Sequence, residues 1–172
     1  MDTTDDLSEI FDIVDREDKV IGRATRREVH GNKNLLHRSV GVAVINSNNK
    51  IFLQRRSITK DTDSLKWTIS CSGHVAAGDT YEDTARRELS EELGIADRVL
   101  LNYLCKYIYE SNTETEMVCL YKIIYNGSIT VHTEEILEGK FFTRKEIIRA
   151  SSSGEISLND FGKIALQKIG WL

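Results

Sequence analysis

The chain has 172 residues, 40% of them hydrophobic and 29% charged, with a formal net charge of −4. That length suits one domain with a sizeable core, and no apolar run reaches the length needed to span a bilayer, so no membrane partner is expected. A net negative chain is a poor partner for a nucleic-acid polymer, though the charge says nothing against a small phosphorylated molecule. The opening MDTTDDLSEI lacks the basic and apolar regions of a signal peptide, and Cys71, Cys105 and Cys119 form no C-x-x-C pair. A cytoplasmic chain in a reducing compartment is therefore expected.

In chain order, residues 10–14 and 20–24 read as a hairpin or two short strands, and 25–30 as a brief helix stopped by Gly31-Asn32. Residues 39–45 and 51–54 read as core strands joined by the turn-rich NSNNK, and Arg55, Arg56 and Lys60 form a basic cluster at the second strand's end. A strand over 67–71 feeds the Gly73 loop, and a helix follows it. Strands over 99–109 and 116–125 flank the polar loop ESNTET, and a shorter one over 139–142 leads to a helix over 143–150. The run SSSG reads as a linker and 160–169 as a closing helix, with Phe161, Ile164, Ala165 and Ile169 on one face. Mixed strands with helices argue an α/β or α+β sandwich.

The helix after Gly73 carries the chemistry. Glu88, Glu91 and Glu92 stand at i, i+3 and i+4, which places them within an arc of roughly 100°. Alone they repel, at about 0.2–0.5 kcal/mol for each facing pair. A hard divalent cation reverses the sign, and Mg²⁺ suits clustered carboxylates because it keeps room for substrate phosphates in its shell. Most acidic runs are solvated faces, but here the flanks add pattern. Asp79 or Thr80 can cap the helix, Thr80-x-x-Asp83 has the form of a capping box, and Gly94 supplies the stop.

With these flanks the segment GHVAAGDTYEDTARRELSEELGI resembles the Nudix box, G-x5-E-x7-R-E-U-x-E-E-x-G-U with U aliphatic. Gly73, Arg87, Glu88, Leu89, Glu91, Glu92, Gly94 and Ile95 match it, and Asp79 stands where the family has Glu. The resemblance implies an α/β fold, an α/β/α sandwich around a mixed β-sheet. It implies one domain over residues 1–172, with 1–36 an N-terminal hairpin and short helix and 37–172 the core. It also implies Mg²⁺ or Mn²⁺ held by Glu88, Glu91 and Glu92, with Arg87 bracing the helix and Asp79 shared between Arg87 and capping.

A second constellation is His30, His37 and His74 with Glu114 and Glu116. Spacing alone is a weak signal for metal. The pattern His-x6-His, then Gly-His, then Glu-x-Glu is, however, similar to type I isopentenyl diphosphate isomerases, a branch of the Nudix fold. By that similarity these five residues hold a divalent metal, Arg55, Arg56 and Lys60 clamp a diphosphate, and Trp67 lies in the substrate site. The likeness fails at two positions. Ser72 stands where those enzymes have a proton-donating Cys, with Cys71 one step away on the opposite strand face. Glu88 stands where the bacterial isomerases carry Arg.

The leading expectation is thus a metal-dependent hydrolase of a small-molecule diphosphate, with Glu88, Glu91 and Glu92 catalytic. The general base is one of these or one of Glu134 and Glu135. The alternatives are an isopentenyl diphosphate isomerase, or a catalytically idle Nudix fold that senses a metabolite. A homodimer is left open, with the N-terminal hairpin and the last helix as the surfaces to inspect.

Overall fold

The computed structural model describes residues 6–60, 62–96 and 98–172. The opening acidic run is thus described only from Asp6, and Asp61 in the 57–65 segment lies outside the described residues.

Strand β3 (Leu36–Ile45) is the spine of a mixed sheet. Its Val40, Val42 and Val44 enter one apolar layer while Ala43 and Ile45 enter the other. A strand apolar on both faces belongs mid-sheet with layers above and below it. Along one edge it runs parallel to β8 (Thr115–Ile124), from Leu36↔Thr115 to Ile45↔Ile124, and β8 pairs antiparallel with β7 (Asn102–Glu110). Three antiparallel partners share its other edge. β1 (Ile10–Val14), hairpin partner of β2 (Val20–Thr25), meets it at Ile13↔His37. β6 (Cys71–His74) takes Ser39 to Val42, and β4 (Ile51–Arg56) takes Ile45↔Ile51. Past that point β4 leaves β3 to pair β5 (Trp67–Thr68) and β9 (Ile136–Phe142), so the sheet forks.

Helix α2 (Tyr81–Leu93) covers one face through Ala85, Leu89 and Leu93, packed against Val40, Val42, Val44 and Cys71. Fully burying each leucine is worth about 1.5–3 kcal/mol. Helices α3 (Arg144–Ser153) and α4 (Asp160–Lys168) cover the other with Ile147, Ala150, Phe161, Ala165 and Leu166. The architecture is the expected α/β/α sandwich around a mixed sheet. Thr80 caps α2, its Oγ1 accepting from the Asp83 N–H, and Gly94 ends it in the left-handed region at φ 66°.

Two elements depart from expectation. The strand foreseen over 67–71 is broken into β5 and β6, because the intervening Ser70 turns its hydroxyl into the fork. There it accepts from the Val44 N–H and donates to the Phe52 carbonyl, in place of a strand-to-strand bond. The SSSG run is no linker: Ser151 to Ser153 continue α3, and Gly154 at φ 76° closes it. The brief helix α1 (Arg26–Val29) falls where it was expected.

Candidate active site and metal centre

The fork opens into a cleft of about 710 Å³. Glu88, Glu91 and Glu92 reach it from α2. Glu91 is exposed, whereas Glu88 and Glu92 retain only 8% and 6% exposure. Glu88 lies against the backbone of Gly73, where a Cβ would overlap its carboxylate. Arg87 reaches sideways to both neighbours, Nη2 to Glu88 Oε1 and Nη1 to Glu91 Oε2, each at 2.9 Å. Glu92 Oε2 accepts from Gln54 Nε2 at 2.7 Å, and the same amide donates to the Ser70 carbonyl across the fork. Burial pushes the Glu88 carboxyl up to about 7, with Arg87 opposing and Glu91 and Glu135 adding to the rise. Burial likewise drives Glu92 well above the usual carboxylate range, helped by Glu88 and Glu135. Ionised together, Glu88, Glu91 and Glu92 would carry more negative charge than Arg87 neutralises.

On the side of the sheet facing α4, the second constellation converges. His30 caps the end of α1, His37 lies on β3, His74 ends β6, and Glu114 and Glu116 stand before and within β8. Glu114 Oε2 lies 3.0 Å from His30 Nε2 and 3.7 Å from both His37 Nε2 and His74 Nε2, while Glu116 Oε2 is 4.0 Å from His74 Nε2. Donor atoms of His30, His74 and Glu114 all fall within 4.8 Å of one another, close enough to share a metal ion. His37 is fully buried, and its Nδ1 lies 3.1 Å from the Leu35 carbonyl. A carbonyl only accepts, so Nδ1 carries the proton and Nε2 turns a lone pair toward Glu114. Burial pulls His37 down to about 3, so the ring stays neutral. Burial works against ionising Glu114, yet His30 and His74 hold its carboxyl below the usual range. A lone pair facing a carboxylate in a buried site fits a cation between them.

A NUDIX domain family model matches residues 35–160. The chain belongs to the Nudix family. An uncharacterized Nudix hydrolase of Nostoc is 33% identical, over 91% of this chain and 93% of that protein. An isopentenyl-diphosphate Delta-isomerase of Mesocricetus auratus is 30% identical, over 92% of this chain and 81% of its own length. In structure, a Deinococcus radiodurans protein aligns with a TM-score of 0.79 over 92% of this chain and 98% of that one, at 24% identity, which speaks for a shared fold.

Against that Nudix frame, the expected substrate-binding residues divide. Arg56 and Lys60 line the cleft, Arg56 donating from Nε to the Thr62 carbonyl at 3.0 Å and Lys60 Nζ lying 3.5 Å from Glu135. Arg55 does not line it. Strand alternation sends its side chain to the other face of β4, where it binds the Leu65 carbonyl and Glu138. Trp67 is likewise withdrawn: it is buried in the α3–α4 layer, edge-to-face on Phe142. Asp79 is exposed and makes no ion pair with Arg87, whose partners are Glu88 and Glu91. Of the two candidate bases beyond the box, Glu135 lines the cleft and Glu134 faces solvent.

Three contributors had escaped notice. Phe11 stacks on His37 at 5.4 Å and tilts over His74 at 4.9 Å, holding both rings. Arg26 Nη1 meets His74 Nδ1 at 3.1 Å. A guanidinium only donates, so this nitrogen accepts, and binding a metal through Nε2 would require Arg26 to give up the contact and the ring proton to move to Nδ1. Gln54 is the third. Arg26 could have been found from its i, i+4 relation to His30, whereas Phe11 and Gln54 left no signal of their own.

Proposed function

We propose that the chain is a divalent-metal-dependent Nudix hydrolase that cleaves a diphosphate linkage in a small phosphorylated metabolite. The observation that carries this reading is the burial of Glu88 and Glu92 side by side at the cleft, with Glu91 beside them and Arg87 the cation paired with Glu88. Such charge is costly without a further positive partner, and an oxygen-only donor set fits Mg²⁺ or Mn²⁺. Glu88, Glu91 and Glu92 would hold that ion, which when bound would offset charge on the leaving phosphate and acidify a water. Arg87 positions Glu88 and Glu91. Arg56 and Lys60 orient the diphosphate, Arg56 by releasing Thr62. Glu135, facing Glu88 and Glu92, takes the proton from the attacking water.

A second reading, isopentenyl diphosphate isomerase, is favoured by one observation, the convergence of His30, His37, His74, Glu114 and Glu116. Those residues would hold a transition metal, because nitrogen-rich sets favour Mn²⁺ or Zn²⁺ over Mg²⁺. The proton donor is what this reading lacks. Cys71 is fully buried beneath α2, and burial raises its thiol well above the usual range. Incubation with isopentenyl diphosphate and with a panel of other diphosphates, with Mg²⁺ or Mn²⁺, separates the two. Phosphate release supports hydrolysis, and dimethylallyl diphosphate without phosphate release overturns it.

A further inference from the structure

We propose that the group joined to the diphosphate is a small polyhydroxyl group, a sugar or polyol, and not an isoprenoid chain or a nucleobase. The proposal rests on the hydrolase reading and specifies its substrate. Away from the metal-binding carboxylates, the polar side chains that wall the cleft include Thr62, Asp63 and Lys66 of the segment between β4 and β5, Asn112 of the β7–β8 loop, and Asp160 at the start of α4. Asp63 and Asp160 each use Oδ1 for a lysine, Lys66 and Lys163, and leave Oδ2 for another donor. These are partners for hydroxyl groups, which both donate and accept.

The walls offer the competitors little. Apart from the His74 imidazole, the aromatic rings bordering the cleft among the described residues are Tyr109 and Phe161. They pack edge-to-face on each other and keep 6% and 9% exposure, so neither presents a ring face on which a base could stack. A base without such a platform forgoes roughly tenfold or more in affinity. An isoprenoid tail would lie along carboxylates and amides, forgoing roughly fourfold for each methylene denied burial.

The test compares ribose 5-diphosphate, ADP and isopentenyl diphosphate with the full chain and Mg²⁺, reading phosphate release. ADP is the same sugar diphosphate with adenine added, so the pair isolates the base. The expected result is a kcat/KM for ribose 5-diphosphate at least tenfold above that for isopentenyl diphosphate, with adenine giving no gain. Isopentenyl diphosphate cleaved as well or better, or a tenfold gain from adenine, overturns the substrate class while leaving the hydrolase reading intact. Cleavage of none of the three overturns both. Asn112→Ala and Asp160→Asn should each raise KM for ribose 5-diphosphate at least fivefold with kcat within twofold, and leave KM for isopentenyl diphosphate unchanged. An equal rise for both substrates would refute the wall's role.

Discussion

The Glu88 carboxylate occupies the space that a side chain on Gly73 would need. Gly73 is therefore required for room and not for backbone freedom. Gly73→Ala should drive Glu88 off Arg87 and out of its cradle, lowering kcat at least tenfold for a loss of about 1–3 kcal/mol in stability. Magnesium titration of turnover, alongside thermal unfolding, checks it; full activity at ordinary Mg²⁺ would be the contrary result.

The raised Glu88 carboxyl makes stability depend on pH in a stated direction. Its ordinary value is 4.5 and its folded value about 7, so between these the folded chain holds the proton more tightly than the unfolded chain does. The metal-free protein should lose stability as pH rises through that window, and Glu92 acts the same way. Thermal scans in chelator should show Tm falling from pH 5 to 8. Saturating Mg²⁺ should remove most of the fall, and Glu88→Gln should flatten the chelated profile.

Neighbouring arginines should behave differently. Arg56 lines the cleft and Arg55 binds Glu138 on the other face of β4. Arg56→Ala should raise KM about tenfold or more, as loss of a charged hydrogen bond to phosphate would, whereas Arg55→Ala should leave KM within about twofold. Steady-state kinetics on one diphosphate substrate decides this.

The two carboxylate groupings should be separable by metal. His74→Ala and Glu114→Gln should each lose a bound transition-metal ion, read by elemental analysis of the purified protein, and lose less magnesium-dependent turnover than Glu91→Gln. Equal metal content in all three variants and the parent would count against a metal at the histidines.

Asp18, at the tip of the β1–β2 hairpin, gathers Arg38, Lys106 and the Tyr81 hydroxyl onto one carboxylate while its backbone sits at φ 65°. Asp18→Ala should destabilise by on the order of 1–3 kcal/mol, because it strands partly buried donors and forces alanine into the left-handed region. Asp18→Asn keeps the backbone preference and should cost less; chemical denaturation of both variants measures the difference.

What the amino-acid pattern revealed depended on whether a residue's role was local. The spacing of Glu88, Glu91 and Glu92 and the caps at Thr80 and Gly94 belong to one helix, and they read directly. The histidine set read only through family likeness, because His37 and His74 meet through pairings among β3, β6 and β8, with His30 brought in at the end of α1, and no short window contains these contacts. Arg55 and Trp67 looked like site residues by position. Strand alternation sent one to the far face and packing took the other into the core. Ser151 to Ser153 looked like a linker because serine is common in loops, but Gly154, not composition, set the end of α3.

The parting of β4 from β3 has an evolutionary consequence. The box glutamates approach the cleft from beneath the sheet, through an opening pinned by Gln54 and Ser70, whereas Asn112, Thr62 and Asp63 approach from loops above it. On the proposed assignment, reaction and recognition ride on different elements, so a lineage could retool its upper loops for new compounds without disturbing the machinery below.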